Sequence, residues 1–157
     1  MIYTPATLED AEALAPHLKQ QDIVELWEGH RTAPLPALRR SVEASDTAFT
    51  ASEDGEVVAI FGVVSYSLLD GNGVVWMLSR DLKPHIRTLV KDAPLLLRLI
   101  STNYTHIGNY VYAENEPAIR LLLRLGFEIQ PAVPYGVANK PFHPFTVRVS
   151  KLCVPVS

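Results

Sequence analysis

The chain holds one cysteine, Cys153, in 157 residues, so no intrachain disulfide can form and no thiolate cluster can bind metal. Cys153 sits beside Val154 and Pro155 with no partner group in the sequence, which argues against a nucleophilic role. A basic-then-apolar leader is also missing. The first fifteen residues, MIYTPATLEDAEALA, are acidic, so no signal peptide is expected. No apolar run approaches the roughly 20 residues that cross a bilayer, and even LLLRLI is broken by Arg98. Strong charge of either sign is lacking too: a net charge of −3 provides no general attraction to nucleic acid or to an anionic membrane. His17, His30, His85, His106 and His143 show no metal-ligand spacing, so no metal site is expected. There is no G-x-S-x-G elbow, no Walker loop, no repeat and no low-complexity tract.

What is present is the composition of an ordinary globular protein, 48% hydrophobic and 20% charged, which fits a single domain over 1–157 made in the cytoplasm. Residues 2–5 read as a short strand. Thr7, with Asp10 three residues on, reads as a capping box for a helix carrying Leu8, Ala11, Leu14, Ala15 and Leu18, which Pro16 bends or breaks. A second helix is predicted over Asp22–Glu28, ending near Gly29. A third starts at Pro34 or Pro36 and carries Leu38 and Val42. Thr47–Ser52, Val57–Leu68 and Val74–Leu78 then read as an antiparallel meander, turned at Glu53-Asp54-Gly55-Glu56 and at Asp70-Gly71-Asn72-Gly73.

Residues 84–104 are mostly helical in pattern, with an interruption at Pro94 and Asp92 capping a second segment. Ile107–Tyr112 is a strand. Pro117–Leu125 is a helix capped by Gly126, with Ala118, Ile119, Leu122 and Leu125 inward and Leu121 and Leu123 on its flanks. Pro131–Pro144 reads as a long loop, a crossover between strands or a docking arm, and Phe145–Leu152 as a final strand. Trp27 reads as core, or as an anchor where exposed, and Arg39-Arg40 as a solvated helix face. The order is α+β around a mixed sheet.

The stretch NYVYAENEPAIRLLLRLGFEI halts a strand at Asn115, starts a helix at once and stops it at Gly126. It resembles the GNAT superfamily of acyl-CoA-dependent N-acetyltransferases, whose pattern N-x-x-A-I-x-L…L-G-F is matched by Asn115, Ala118, Ile119, Leu121, Leu125, Gly126 and Phe127. The element order agrees over roughly the whole chain. The resemblance implies a mostly antiparallel sheet whose fourth and fifth strands splay apart, flanking helices, and acetyl-CoA entering the notch. It further implies a cofactor site at Leu78, Ser79, Arg80, Lys83, His85 and Asn115. Gly29-His30-Arg31 lies where such proteins often hold the acceptor, although a loop cap is the better account of it.

The family's chemical residues are incomplete here. Its phosphate loop, R/Q-x-x-G-x-G/A, corresponds to MLSRDLKPHIRTL, which has no glycine and in which Pro84 removes an N–H. That weighs against a tight grip on acetyl-CoA. The fourth strand offers no Glu as base. Asp70, or a water, is the nearest substitute, and turn chemistry explains Asp70 as well. The family's acidic Tyr corresponds to Leu122, leaving Tyr112 or Tyr110 as the acid.

The tail PAVPYGVANKPFHPFTV resembles the ending of GNAT-like proteins of tailed bacteriophages, including the internal virion protein A type. Pro134, Gly136, Pro141, Phe142 and Phe145 carry that match, together with Trp76-Met77-Leu78 before a charged helix start. This implies a structural or assembly role, other virion proteins as partners, and residence in the host cytoplasm or the virion. The alternative is a working acetyl-CoA-dependent N-acetyltransferase with a divergent phosphate loop.

Overall fold

The computed structural model describes residues 1–65 and 70–152. The expected extension of the third strand to Leu68, and Cys153, lie outside the described residues. The chain opens with β1 (Ile2–Pro5), α1 (Leu8–Leu14), a 3-10 turn (Ala15–His17), α2 (Gln20–His30) and α3 (Pro34–Ala44). The meander follows as β2 (Thr47–Glu53), β3 (Glu56–Ser65) and β4 (Asn72–Ser79). Next come a 3-10 turn (Lys83–His85), α4 (Ile86–Ile100), β5 (His106–Tyr112) and α5 (Glu116–Arg124). The chain closes with β6 (Glu128–Ile129), β7 (Val133–Tyr135), β8 (Lys140–Arg148) and a 3-10 turn (Val149–Lys151).

Local chemistry sets most of these boundaries. The Thr7 hydroxyl accepts the Asp10 N–H at 3.1 Å while the Asp10 carboxylate accepts the Thr7 N–H at 3.0 Å, a reciprocal capping box. Asp54 and Gly55 both take positive φ, 51° and 79°, so β2 and β3 join through a two-residue turn whose twist matches the strands. Asn115 caps α5 by accepting the Ala118 N–H, and Gly126 leaves the helix at φ 93°.

The sheet runs β1-β2-β3-β4-β5-β8-β6, with β7 also on β8, and all pairs are antiparallel except β4–β5. Alternation along the strands divides the core. Ile60 and Leu78 pack with Leu14 and Leu38 under α1–α3. Phe61 and Val75 pack with Leu89, Leu97, Leu121 and Phe145 toward α4 and α5.

Some expectations are corrected. α4 is not interrupted: Pro94 lies inside one helix, and Asp92 accepts the Tyr3 hydroxyl at 2.6 Å instead of capping a second segment. A helix-interior Pro costs about 3 kcal/mol. Leu89 precedes it and Leu96, Leu97 and Ile100 follow, all buried on one face at about 1.5–3 kcal/mol each, and this outweighs the defect. α2 ends at His30, near Gly29 as expected, with Arg31 at φ 49°. On α5 it is Leu121 that is buried, not a flank. Pro131–Pro144 is largely a β7–β8 hairpin, and the final strand starts at Lys140 and stops at Arg148, before Val149.

Gly29 and Gly136 explain how that hairpin docks on α2. A Cβ on Gly136, which already has φ 79°, would lie 2.3 Å from the Gly29 carbonyl oxygen. The Val137 N–H donates to that same carbonyl at 3.2 Å. A Cβ on Gly29 would touch Phe142 Cζ at 3.0 Å, so the helix approaches β8 at glycine-only distance.

Candidate active site

β4 and β5 pair only at Asn72–His106, Gly73–Ile107 and Val74–Gly108. The Asn109 side chain then donates to the Val75 carbonyl at 3.0 Å, and beyond it no rung joins the two strands. Each strand stays bound on its outer side, β4 to β3 as far as Ser79 and β5 to β8 as far as Tyr112. The sheet therefore opens like a V. The resulting cleft, of about 1130 Å3, passes between α4 and α5 on one face and reaches α2 and α3 on the other.

A buried polar network holds the open end of the V. Asp22, 3% exposed, accepts the Lys19 ammonium at 2.7 Å and the Ser79 N–H at 3.1 Å, with the Asn115 amide at 3.5 Å. Lys19 also donates to the Ser79 hydroxyl at 2.8 Å. One side chain on α2 thus ties down the end of β4 and the start of α5. A turn further along α2, Glu25 faces the cleft and accepts the Tyr112 N–H at 2.6 Å. Burial pushes its carboxyl up from 4.5 to about 7, assisted by the Asp22 charge and opposed by the Tyr112 N–H, Asn115 and Lys19. A carboxylate poised there suits proton abstraction near neutral pH.

Glu25 was not singled out in the sequence. Its only local signal is the helical spacing of Asp22, Glu25 and Glu28. The residues that were singled out are distributed differently. Asp70 sits at the closed end of the V, where its carboxylate accepts the Asn72 N–H at 3.0 Å, and it does not line the cleft. Tyr112 is buried, packs on Phe142 and donates its hydroxyl to Glu114 at 2.6 Å. That hydrogen bond first, and burial second, push it up to about 12. It lines a separate pocket of about 150 Å3 rather than the main cleft. Tyr110, on the same strand face, does line the cleft and stacks on Tyr135 at 4.0 Å.

Leu78 and Lys83 line the cleft, whereas Ser79 and Asn115 belong to the buried network. Arg80 turns away, donating Nε to the Val57 carbonyl at 2.7 Å, and His85 pairs with Glu53. At the turn after β4, the Lys83 N–H is taken by the Asp81 carboxylate at 3.1 Å and the His85 N–H by the Leu82 carbonyl at 2.9 Å. Two of the turn's N–H groups are therefore already engaged, and Pro84 has none to offer. Lys83 from the turn, with Arg120 and Arg124 from α5, line the cleft on this side.

On the opposite side, Arg40 is exposed, as expected of the solvated Arg39-Arg40 face, and it also lines the cleft with His30. Burial first, and the Arg40 charge second, lower the His30 pKa. Arg39 instead pairs outward with Glu12 at 2.6 Å. Trp27 is 53% exposed, away from the cleft lining, under the Arg31 guanidinium. Among the described residues no group of three or more His, Cys, Asp or Glu is placed to hold a metal, and no helix is long and apolar enough to cross a membrane.

No protein-family model matches the sequence, and no curated protein matches it. Solved structures do match. Spermidine N-acetyltransferase from Vibrio cholerae, in complex with CoA and spermine, aligns over 96% of each chain at TM-score 0.70 and 15% identity. A GNAT-family acetyltransferase from Bacillus anthracis aligns over 95% of each chain at TM-score 0.68 and 14% identity. Ribosomal-protein-alanine N-acetyltransferase from Brucella melitensis aligns over 93% of this chain and 98% of its own at TM-score 0.66 and 18% identity. With a parallel β4–β5 pair inside an otherwise antiparallel sheet, and helices on both faces, the chain has the GNAT fold.

Proposed function

We propose that the chain is an acetyl-CoA-dependent N-acyltransferase in which Glu25 takes the proton from the acceptor amine. One observation carries this reading: a carboxyl with a pKa of about 7 faces a deep cleft at the split of the sheet. The residues present fit such a cofactor in size and charge. The cleft matches the upper range of ligand sites, and Lys83, Arg120 and Arg124 offer cations for its phosphates. Acetyl-CoA would supply an activated thioester. The chain itself supplies the base at Glu25, a phenol proton at Tyr110 for the departing thiol, and apolar walls that exclude water.

A second reading is favoured by one feature, the engaged phosphate turn. Arg80 and His85 are tied to β3 and β2, and the turn has no glycine. This supports a weak grip on acetyl-CoA, and the reading we propose for such a chain is a fold retained for assembly, in the manner of phage virion proteins, with other virion proteins as partners. Calorimetric titration with acetyl-CoA separates the two. Micromolar binding, weakened by Lys83→Ala and Arg124→Ala, supports the enzyme. No heat at millimolar cofactor, with the protein present in purified virions, supports assembly.

A further inference from the structure

The acceptor side of the cleft carries a solvent-exposed cation that has no protein partner among the described residues. α3 turns Ala37, Arg40, Ser41 and Ala44 to the cleft, and Arg40 is the one charged group among them. Arg40 has no hydrogen-bond or carboxylate partner among the described residues, although its neighbour Arg39 holds Glu12 at 2.6 Å. The other cation on this wall, Lys19, is already neutralised by Asp22 at 2.7 Å. His30 lies within reach of the Arg40 charge, and an imidazole, being neutral or cationic, supplies no counter-charge. The cleft thus presents both signs of charge, with the carboxylates of Glu25 and Glu114 and the Arg40 guanidinium among its lining groups.

We propose that the acceptor is an amino carboxylate, bound with its amine toward Glu25 and its carboxylate on Arg40. This rests on the acyltransfer reading above. A planar guanidinium recognises a carboxylate through two parallel N–H bonds, which fixes orientation as well as charge. A polycation would meet Arg40 as a like charge, and a simple monoamine would leave it unmatched. Small Ala37 and Ala44 flank Arg40 and leave room for an acceptor side chain.

The test compares amino acids with their carboxamides, which keep the amine and lose the carboxylate. Wild-type protein, Arg40→Gln and the control Arg39→Gln are titrated with each pair by NMR, without cofactor, so the result stands apart from acetyl-CoA binding. Wild type is expected to favour at least one amino acid over its amide by tenfold or more. Arg40→Gln loses that preference and Arg39→Gln keeps it. In turnover, Arg40→Gln raises the acceptor KM about tenfold with kcat little changed. Equal binding of acid and amide, no binding of any amino acid, or a preference that survives Arg40→Gln overturns the proposal. Acetyl-CoA binding with none of these preferences leaves the acyltransfer reading standing alone. Amino-acid preference without acetyl-CoA binding sinks that reading and keeps the acceptor site.

Discussion

The Glu25 carboxylate accepts the backbone N–H of Tyr112 at 2.6 Å, joining α2 to the end of β5 across 87 positions of sequence. The bond holds an acidic group at the mouth of the split sheet. Burial raises its pKa more than the bond lowers it.

Activity should therefore rise with pH through about 7, as Glu25 loses its proton. Glu25→Gln keeps the shape and the acceptor oxygen but cannot take a proton. It is expected to lower kcat/KM by about 10²–10⁴ and to flatten the pH profile. A profile that keeps its rise in this variant would assign the base elsewhere.

Stability carries the same group with a definite sign. The folded pKa lies above the ordinary 4.5, so the folded state binds the proton more tightly. That contribution is fully present below pH 4.5 and is lost as pH rises toward and through 7. Denaturant midpoints for the wild type should fall relative to Glu25→Gln across this window, and parallel curves would contradict it.

Asp22→Ala removes the counter-charge of Lys19 and an acceptor for the Ser79 N–H. Lys19 and Asp22 are 10% and 4% exposed at their side chains, so the loss is expected to cost about 3–5 kcal/mol by urea unfolding. A cost below 1 kcal/mol would mean the network is solvated.

Gly136→Ala meets both a positive φ and the Gly29 carbonyl, and about 2–4 kcal/mol of destabilisation is expected. Gly126→Ala has φ 93° but open space around the new methyl, and about 1–2 kcal/mol is expected. Chemical denaturation of the pair checks the order.

Asp70→Asn should leave turnover within twofold of wild type. Its oxygen still accepts the Asn72 N–H, and the residue stands at the closed end of the V. A large loss would return Asp70 to the chemistry.

The sequence by itself determined what acts over a few residues. The capping box at Thr7 and Asp10, the Asp54-Gly55 turn, the Asn115 cap and the Gly126 exit are each contained within one turn, and each is legible there. Together with the apolar periodicity they set out the element order, and the motif from Asn115 to Phe127 carried the resemblance that implied the fold. Tertiary structure alone decided where burial and charge partners fell. Pro94 stays in one helix because leucines on both sides are buried under the sheet. Glu25 has a raised pKa because it is buried against the end of β5, and Arg40 becomes a candidate acceptor contact because α3 lies along the open V. A pKa and an unpaired charge depend on what lies within a few ångströms in space, and Tyr112, which bonds Glu25, is 87 residues away along the chain.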